Sequence, residues 1–276
     1  MALFAIPVYF FQAYGLRLLG KSATALLGMV AKIAVMGGVL YFLFQWDSMV
    51  LNILFVLLSV AVTALVVCTK ARLSLTHHYV PLLSGVAVAV LVAGAWLLVA
   101  VMGGADALAT PRMVPVAALL CGAVLETEAK AMTYYYMGLR NHGDMYYYML
   151  GNGATRGKAL FYFRKRALER VATHCMRNVG GMMCAATPFV MWAMLLGGAS
   201  VLTACGMQVA VAVAMWTASM LSVAVALMVA TRYSIDGYGR LKDNTAADAA
   251  SGPDSDSSAP TAAEAEAPGI VAETQE

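Results

Sequence analysis

The chain has 276 residues, of which 61% are hydrophobic and only 12% carry charge. Water-soluble domains are about 45–50% apolar and about 25% charged, so this composition excludes an ordinary soluble protein. Apolar runs near twenty residues recur along the chain, and this is the length that a bilayer core requires. We therefore expect an all-α, polytopic bundle of membrane helices.

Seven apolar segments predict about seven membrane-spanning helices. The first is short and has no basic residues before it, so we interpret it as a retained span and not a signal peptide. The approximate bounds are 2–16, 25–46, 49–69, 80–102, 112–137, 179–204 and 207–231.

Basic residues between the segments predict the orientation, because loops that face the cytoplasm are enriched in Lys and Arg. With the N-terminus outside and the C-terminus inside, the inner side carries residues 138–178 and also Arg17, Lys21, Lys70, Arg72, Arg232, Arg240 and Lys242. The outer side then carries Asp47, Asp106 and Arg112. This asymmetry is typical of a multi-pass protein in the bacterial cytoplasmic (inner) membrane, surrounded by the lipid bilayer.

The composition changes sharply after Lys242. Residues 243–276 are rich in Ala, Ser, Pro, Asp and Glu and contain no Lys or Arg. A segment of this kind buries too little apolar surface to fold. We expect residues 1–242 to form a transmembrane domain and residues 243–276 to form a disordered, acidic cytoplasmic tail.

The predicted cytoplasmic loop, residues 138–178, contains eight Lys and Arg residues and two acidic ones. At its middle, the sequence Leu150-Gly151-Asn152-Gly153-Ala154-Thr155 predicts a turn. Thr155 can cap a helix that begins at Arg156 and interleaves apolar and basic residues. Such a helix lies on anionic lipid, or it forms a helix–turn–helix that docks onto a soluble subunit.

Ionisable residues within predicted spans are costly and indicate functional positions. Lys32 lies in the second span, and Glu126 and Glu128 lie in the fifth. Glu126 and Lys130 are four residues apart, so they can pair on one helix face, and Lys32 can pair with either carboxylate. Alternatively, Glu126 and Glu128 line a cation path and are candidate metal ligands, because hard cations prefer oxygen.

Two further polar or special positions complete the predicted translocation path. Pro188 lies within the sixth span and should kink it, since proline removes a backbone donor. Gln208 lies near the outer end of the seventh span. Met182, Met183 and Cys184 could bind a soft metal, but Met is frequent throughout this chain, and we prefer core packing.

The order and spacing of several short motifs resemble the FetB-type permeases of ABC transporters. The resemblance covers roughly residues 15–240. The motifs that carry it are Val114-Pro115-Val116-Ala117-Ala118, Gly122, Gly151-Asn152-Gly153-Ala154-Thr155, Pro188, Gly198 and Met207-Gln208.

The resemblance implies a permease subunit that works as a homodimer and exports iron or another metal ion. Related plant proteins are linked to aluminium tolerance. It further implies that a separate cytosolic ATPase binds ATP and Mg, so this chain would hold no cofactor and would be neither an enzyme nor a nucleic-acid-binding protein. The implied ATPase-coupling residues are Leu150, Gly151, Gly153, Ala154, Thr155, Arg156 and Lys158.

The chain also departs from that family. Gly28 and Lys32 stand where the family has Arg and Gln, and Gly122-Ala123 stands for Gly-Asn. The family's Pro-Gly-Met-Met is Pro188-Phe189-Val190-Met191 here. The substrate therefore does not follow from the resemblance. The alternatives are an ATP-independent secondary transporter or channel, and a membrane enzyme that modifies lipids.

Overall fold

The computed structural model describes residues 19–46, 48–73, 75–101, 103, 109–182 and 187–233. The predicted span 2–16 and the predicted tail 243–276 lie outside these residues. The described part of the chain is all-α. Its eight α-helices are α1 (Leu19–Trp46), α2 (Met49–Lys70), α3 (Leu75–Trp96), α4 (Thr110–Asn141), α5 (Gly143–Gly151), α6 (Arg156–Gly180), α7 (Phe189–Leu196) and α8 (Val201–Tyr233).

Four of these helices are long and apolar enough to cross a membrane. At 1.5 Å per residue, the 22 residues of α2 extend about 33 Å, which matches a hydrocarbon core about 30 Å thick. The four apolar stretches are Thr24–Trp46, Met49–Lys70, His78–Val101 and Val201–Tyr233. They confirm a multi-pass helical bundle and agree with four of the predicted segments.

Helix α4 covers the predicted span 112–137 but is longer, at 32 residues. It is not one of the four apolar helices, and it carries the charged residues Arg112, Glu126, Glu128, Lys130 and Arg140. The total of seven spans and the orientation of the chain in the membrane stay predictions.

The prediction of one continuous span over residues 179–204 is wrong. Helix α6 ends at Gly180, and α7 has only eight residues. Pro188 stands immediately before α7 as its N-cap, so it starts a helix and does not kink one. At the other end of α7, Gly198 adopts a φ of +84°, a left-handed conformation that ends helices and favours glycine.

The most extensive helix contact is that between α3 and α8. Small side chains recur every fourth position on the contacting faces, which lets the two backbones approach closely. On α3 these buried residues are Gly85, Ala89 and Ala93, and on α8 they are Ala214, Ala218, Ser222, Ala226 and Ala230.

Two clusters of buried side chains define the helix directions. One cluster contains side chains from the first parts of α2, α4 and α8 and from the last part of α3. The other contains side chains from the last parts of α2, α4 and α8 and from the first part of α3. Helices α2, α4 and α8 therefore run parallel, and α3 runs antiparallel to them. Near the start of α2 and α4, the Thr110 hydroxyl donates a hydrogen bond to Asn52 Oδ1 at 3.1 Å.

This arrangement places Lys70, Arg232 and the C-terminus of α4 at one end of the bundle, which we name the basic end. Helices α5 and α6 pack there, against the cluster that contains the last parts of α2, α4 and α8. Of the residues that the sequence assigned to the inner side, Lys70, Arg232 and the segment 138–178 thus lie together. Helix α1 contacts the rest of the described bundle only weakly, and most of its apolar side chains are exposed.

Replacing Gly85 with Ala should destabilise the bundle. A Cβ atom at this position would lie 2.8 Å from the backbone oxygen of Ser222 and 2.8 Å from Glu128 Oε1. Overpacking of this kind costs about 1–3 kcal/mol, so the variant should unfold at a lower temperature in detergent.

The matched control is Gly94→Ala on the same helix. Its Cβ would meet only Leu120 Cδ1 at 3.5 Å, an ordinary contact distance. Equal melting temperatures for the two variants would contradict the close packing of α3 and α8 at Gly85.

Candidate functional site: a basic helical hairpin beside a cavity

Helices α5 and α6 form a helical hairpin, residues 143–180, and a short turn connects them. The backbone N–H of Gly153 donates to the Leu150 carbonyl, and that of Ala154 donates to the Met149 carbonyl, both at 3.0 Å. These two bonds, with a φ of +81° at Gly153, make a Schellman motif that ends α5. The predicted turn is confirmed, and Gly153 is required by its backbone conformation.

Helix α6 begins as predicted, directly after Thr155. The Thr155 carbonyl accepts hydrogen bonds from the N–H groups of Lys158 and Ala159, at 2.9 and 3.1 Å. However, the Thr155 side chain forms no capping bond. Thr155 is the N-cap residue of α6, as predicted, but its hydroxyl does not fix the start of this helix.

The apolar face of α6 is buried within this chain. The side chains at this face recur every three or four residues and pack in one cluster with the ends of α4 and α8. They are Ala159, Leu160, Phe163, Ala167, Val171 and Cys175. An amphipathic helix that lies on lipid must insert its apolar face. Because that face is occupied here, the structure favours the hairpin over the interfacial helix.

Tyr146 of α5 packs against α6 near the turn of the hairpin. The side chain is fully buried in the same cluster as Phe163 and Leu160. Burial raises the pKa of the Tyr146 phenol, and the nearby Arg156 guanidinium partly opposes this shift. The turn is therefore attached to the bundle through an aromatic anchor.

The turn itself presents its residues to solvent. All seven predicted coupling residues lie at or next to it, because α5 ends and α6 starts there. Leu150 and Ala154 are half-buried, and the exposed members are Gly151, Gly153, Thr155, Arg156 and Lys158. The structure thus brings this predicted set together at one accessible, basic tip.

Beside the hairpin lies a partly open cavity of about 1060 Å³ between α4, α6, α7 and α8. Most of its wall is apolar, and its polar lining includes Glu126, His174, Asn178 and Gln208. Of the predicted path residues, Glu126 and Gln208 line the cavity. Pro188 lies between two of the lining residues, Thr187 and Phe189.

The predicted local pairs of the ionisable residues are not formed. Lys130 Nζ lies 3.1 Å from His174 Nε2, and it forms no ion pair with Glu126, whose side chain is exposed in the cavity wall. A lysine ammonium only donates, so His174 Nε2 is the acceptor in this contact. Lys32 is exposed on α1 and forms no ion pair with Glu126 or Glu128, so that prediction is also wrong.

Next to this contact, Cys175 faces the cavity from α6. Burial raises the pKa of its thiol, and the charge of Lys130 partly opposes the shift. The thiol is thus protonated at neutral pH and a poor nucleophile. Over the residues that the structure describes, no three His, Cys, Asp or Glu side chains cluster to hold a metal ion.

Glu128 lies on a different face of α4 from Glu126 and does not reach the cavity. It is fully buried, and its Oε2 accepts a hydrogen bond of 2.7 Å from the Ser222 hydroxyl. Its Oε1 has no hydrogen-bond partner among the described residues and abuts Gly85. The two carboxylates therefore do not form a joint metal site, and Glu128 joins α4 to the contact of α3 and α8.

Gln208 has a positioning role that the sequence did not indicate. Its Oε1 accepts a hydrogen bond of 3.0 Å from the backbone N–H of Met191, which is in the first turn of α7. Its Nε2 lies 3.4 Å from Met182 Sδ. Gln208 thus satisfies a free donor at the start of α7 and holds α7 on α8 across the cavity wall.

The model of the uncharacterised protein family UPF0014 matches residues 1–235. The chain belongs to this family. UPF0014 is a family of ABC-transporter-like permeases, which agrees with the multi-pass helical bundle. No curated protein and no solved structure matches the chain. The finer assignment to the FetB type stays a prediction.

Ser222→Ala should destabilise this helical bundle. The substitution removes the hydroxyl that donates to Glu128 and leaves a buried carboxyl without a partner, which costs about 1–3 kcal/mol. The double variant Glu128→Met/Ser222→Ala removes both polar partners and should recover most of the loss. Thermal unfolding in detergent measures both, and a double variant less stable than Ser222→Ala would refute this role of the bond.

Proposed function

We propose that this chain is the membrane subunit of an ABC transporter that exports a metal ion such as iron. A separate cytosolic ATPase chain binds ATP and Mg and docks on the α5–α6 hairpin. Two copies of the permease work as a homodimer in the bacterial inner membrane. The observation that supports this proposal most is the exposed, basic tip of a hairpin whose apolar face is buried in the bundle.

Burial of the α6 apolar face links the hairpin mechanically to the ends of α4 and α8. Because Phe163, Ala167 and Val171 pack in one cluster with the ends of α4 and α8, a displacement of the hairpin displaces those ends. Helices α4 and α8 also line the cavity. Closure of the ATPase would therefore change the shape of the cavity, as in rocking motions of packed helices.

The tip also has suitable charge for a protein partner. Arg156 and Lys158 are exposed one turn from the Schellman motif. Complementary charge steers association and fixes the register of an interface. We expect the ATPase to present acidic or carbonyl groups to these two side chains.

The cavity supplies the passage for the cargo. Glu126 contributes carboxylate oxygens to its wall, and these suit a hard cation. Metal export itself rests on the resemblance to FetB-type permeases. ATP-independent transport through the same cavity, by a secondary transporter or channel, is the alternative. We rank a lipid-modifying enzyme last.

Charge reversal at the tip tests the docking site. Arg156→Glu/Lys158→Glu should reduce recovery of the ATPase with the tagged permease by at least about tenfold, because reversed charges at an interface cost several kcal/mol. The measurement is affinity purification from detergent-solubilised membranes, with the co-purifying chains quantified by mass spectrometry. Gly153 is left unchanged, since any side chain there would distort the turn.

The matched control is Arg140→Glu/Arg177→Glu, which makes the same charge change at exposed positions of the segment away from the tip. It should retain the ATPase. Equal loss in both variants would mean that overall charge, not the tip, governs binding. Recovery of the unsubstituted protein without any ATPase, but with metal transport intact, would favour the ATP-independent alternative.

A further inference from the structure

A second basic feature lies away from the tip, in a groove of about 210 Å³ between α4 and α6. We name it the arginine groove. Among the described residues, none of those that line it is acidic. Its walls are Tyr134, Met137, Gly138, Asn141, His142, Tyr162, Phe163, Arg166, Ala167 and Arg170.

Two guanidinium groups are held against the aromatic walls of this groove. Arg170 Cζ lies 5.5 Å from the centre of the Tyr134 ring, a cation–π distance. Arg166 Nη1 donates to the Tyr162 hydroxyl at 3.3 Å. Each guanidinium has five N–H donors, so most of their donors remain available to a ligand.

These two charges have no carboxylate partner in the described part of the chain. The ion pair on this helix joins Lys165 to Glu169 at 3.6 Å, and both side chains are exposed. Arginine forks bind carboxylates in a bidentate manner. The groove therefore has the chemistry of a binding site for the carboxylates of an acidic peptide.

The chain carries a segment with the complementary charge. Residues 243–276 contain eight acidic residues and no Lys or Arg. The segment 140–178, which includes most of the hairpin, contains eight basic residues and two acidic ones. An acidic segment that cannot form a packed core of its own can bind such a surface through charge, at the cost of the entropy lost when it becomes ordered.

The tail also starts within reach of the groove. Helix α8 ends at Tyr233 at the basic end, and its Leu227 and Ala230 pack in one cluster with Phe163 and Ala167. The latter two residues line the groove. The ten residues from Tyr233 to Asp243 span up to about 35 Å when extended, so the acidic segment is tethered at the end of the bundle that carries the groove.

We propose that the acidic C-terminal tail, residues 243–276, binds the arginine groove of its own chain, with its carboxylates on Arg166 and Arg170. This binding needs neither an ATPase nor a substrate. Its test is therefore independent of the proposed function.

Site-specific photocrosslinking in the full-length protein tests the proposal. A benzophenone amino acid replaces Met137, which is exposed in the groove wall. The protein is irradiated in neutral detergent and digested with trypsin, which leaves residues 243–276 uncut because they contain no Lys or Arg. We expect a crosslink between the α4 peptide and the tail peptide, in a product of monomer mass.

The matched control places the same probe at Phe161, which is exposed on α6 but outside the groove, and it should not capture the tail. The crosslink at position 137 should be lost in about 1 M salt, where the Debye length is about 3 Å. It should also be lost in Arg166→Gln/Arg170→Gln and when the eight tail acids become amides.

Three results would overturn the proposal. The tail peptide could be missing from the crosslinked products at position 137. The product could have dimer mass, which would assign the groove to a tail or hairpin of a second copy. The crosslink could persist in the amide tail, which would show that charge does not direct it.

Discussion

The contact between α3 and α8 at Gly85 is the constraint on which the rest of the described bundle depends. No side chain fits at this position, because the Ser222 backbone and the Glu128 carboxyl occupy the space. Glu128 in turn reaches this level from α4 and bonds to the Ser222 hydroxyl. Three helices thus meet at one point, and the orientation of α4 follows. A membrane bundle gains little from the hydrophobic effect between helices, so close packing and such bonds must hold it.

From that point, α4 extends to the basic end and carries the hairpin. Helix α6 returns along α4 with its apolar face inward, so that its basic face and its tip are left for partners. The tip, the arginine groove and the cavity all border on α6. Because the main apolar face of α6 is buried, its basic face offers partners mostly charged groups. One helix therefore connects the proposed ATPase site, the proposed tail site and the cavity wall.

The sequence predicts much of this arrangement, since local signals determine it. Apolar runs indicate the long helices, and the glycines around Asn152 indicate the turn before α6. The break around α7 was missed because an apolar run looks alike whether its helix is continuous or interrupted, although Pro188 and Gly198 were local signals of it. The partners of Lys130, Glu128 and Gln208 could not be predicted, because they come from other helices. The Lys130–His174 contact, for example, joins residues 44 positions apart, and only the fold brings them together.

The central claim is that the hairpin and the end of α8 move as one body. Spin labels at Thr173→Cys on α6 and Arg232→Cys on α8, both exposed positions, report this distance in a variant whose Cys184 and Cys205 are serine. Pulsed electron paramagnetic resonance would compare the complex with its ATPase in the nucleotide-free and ATP-bound states. The account predicts one narrow distance distribution that does not change with ATP. A distribution that broadens or shifts with ATP would mean that the hairpin moves independently of the bundle, and would contradict the account.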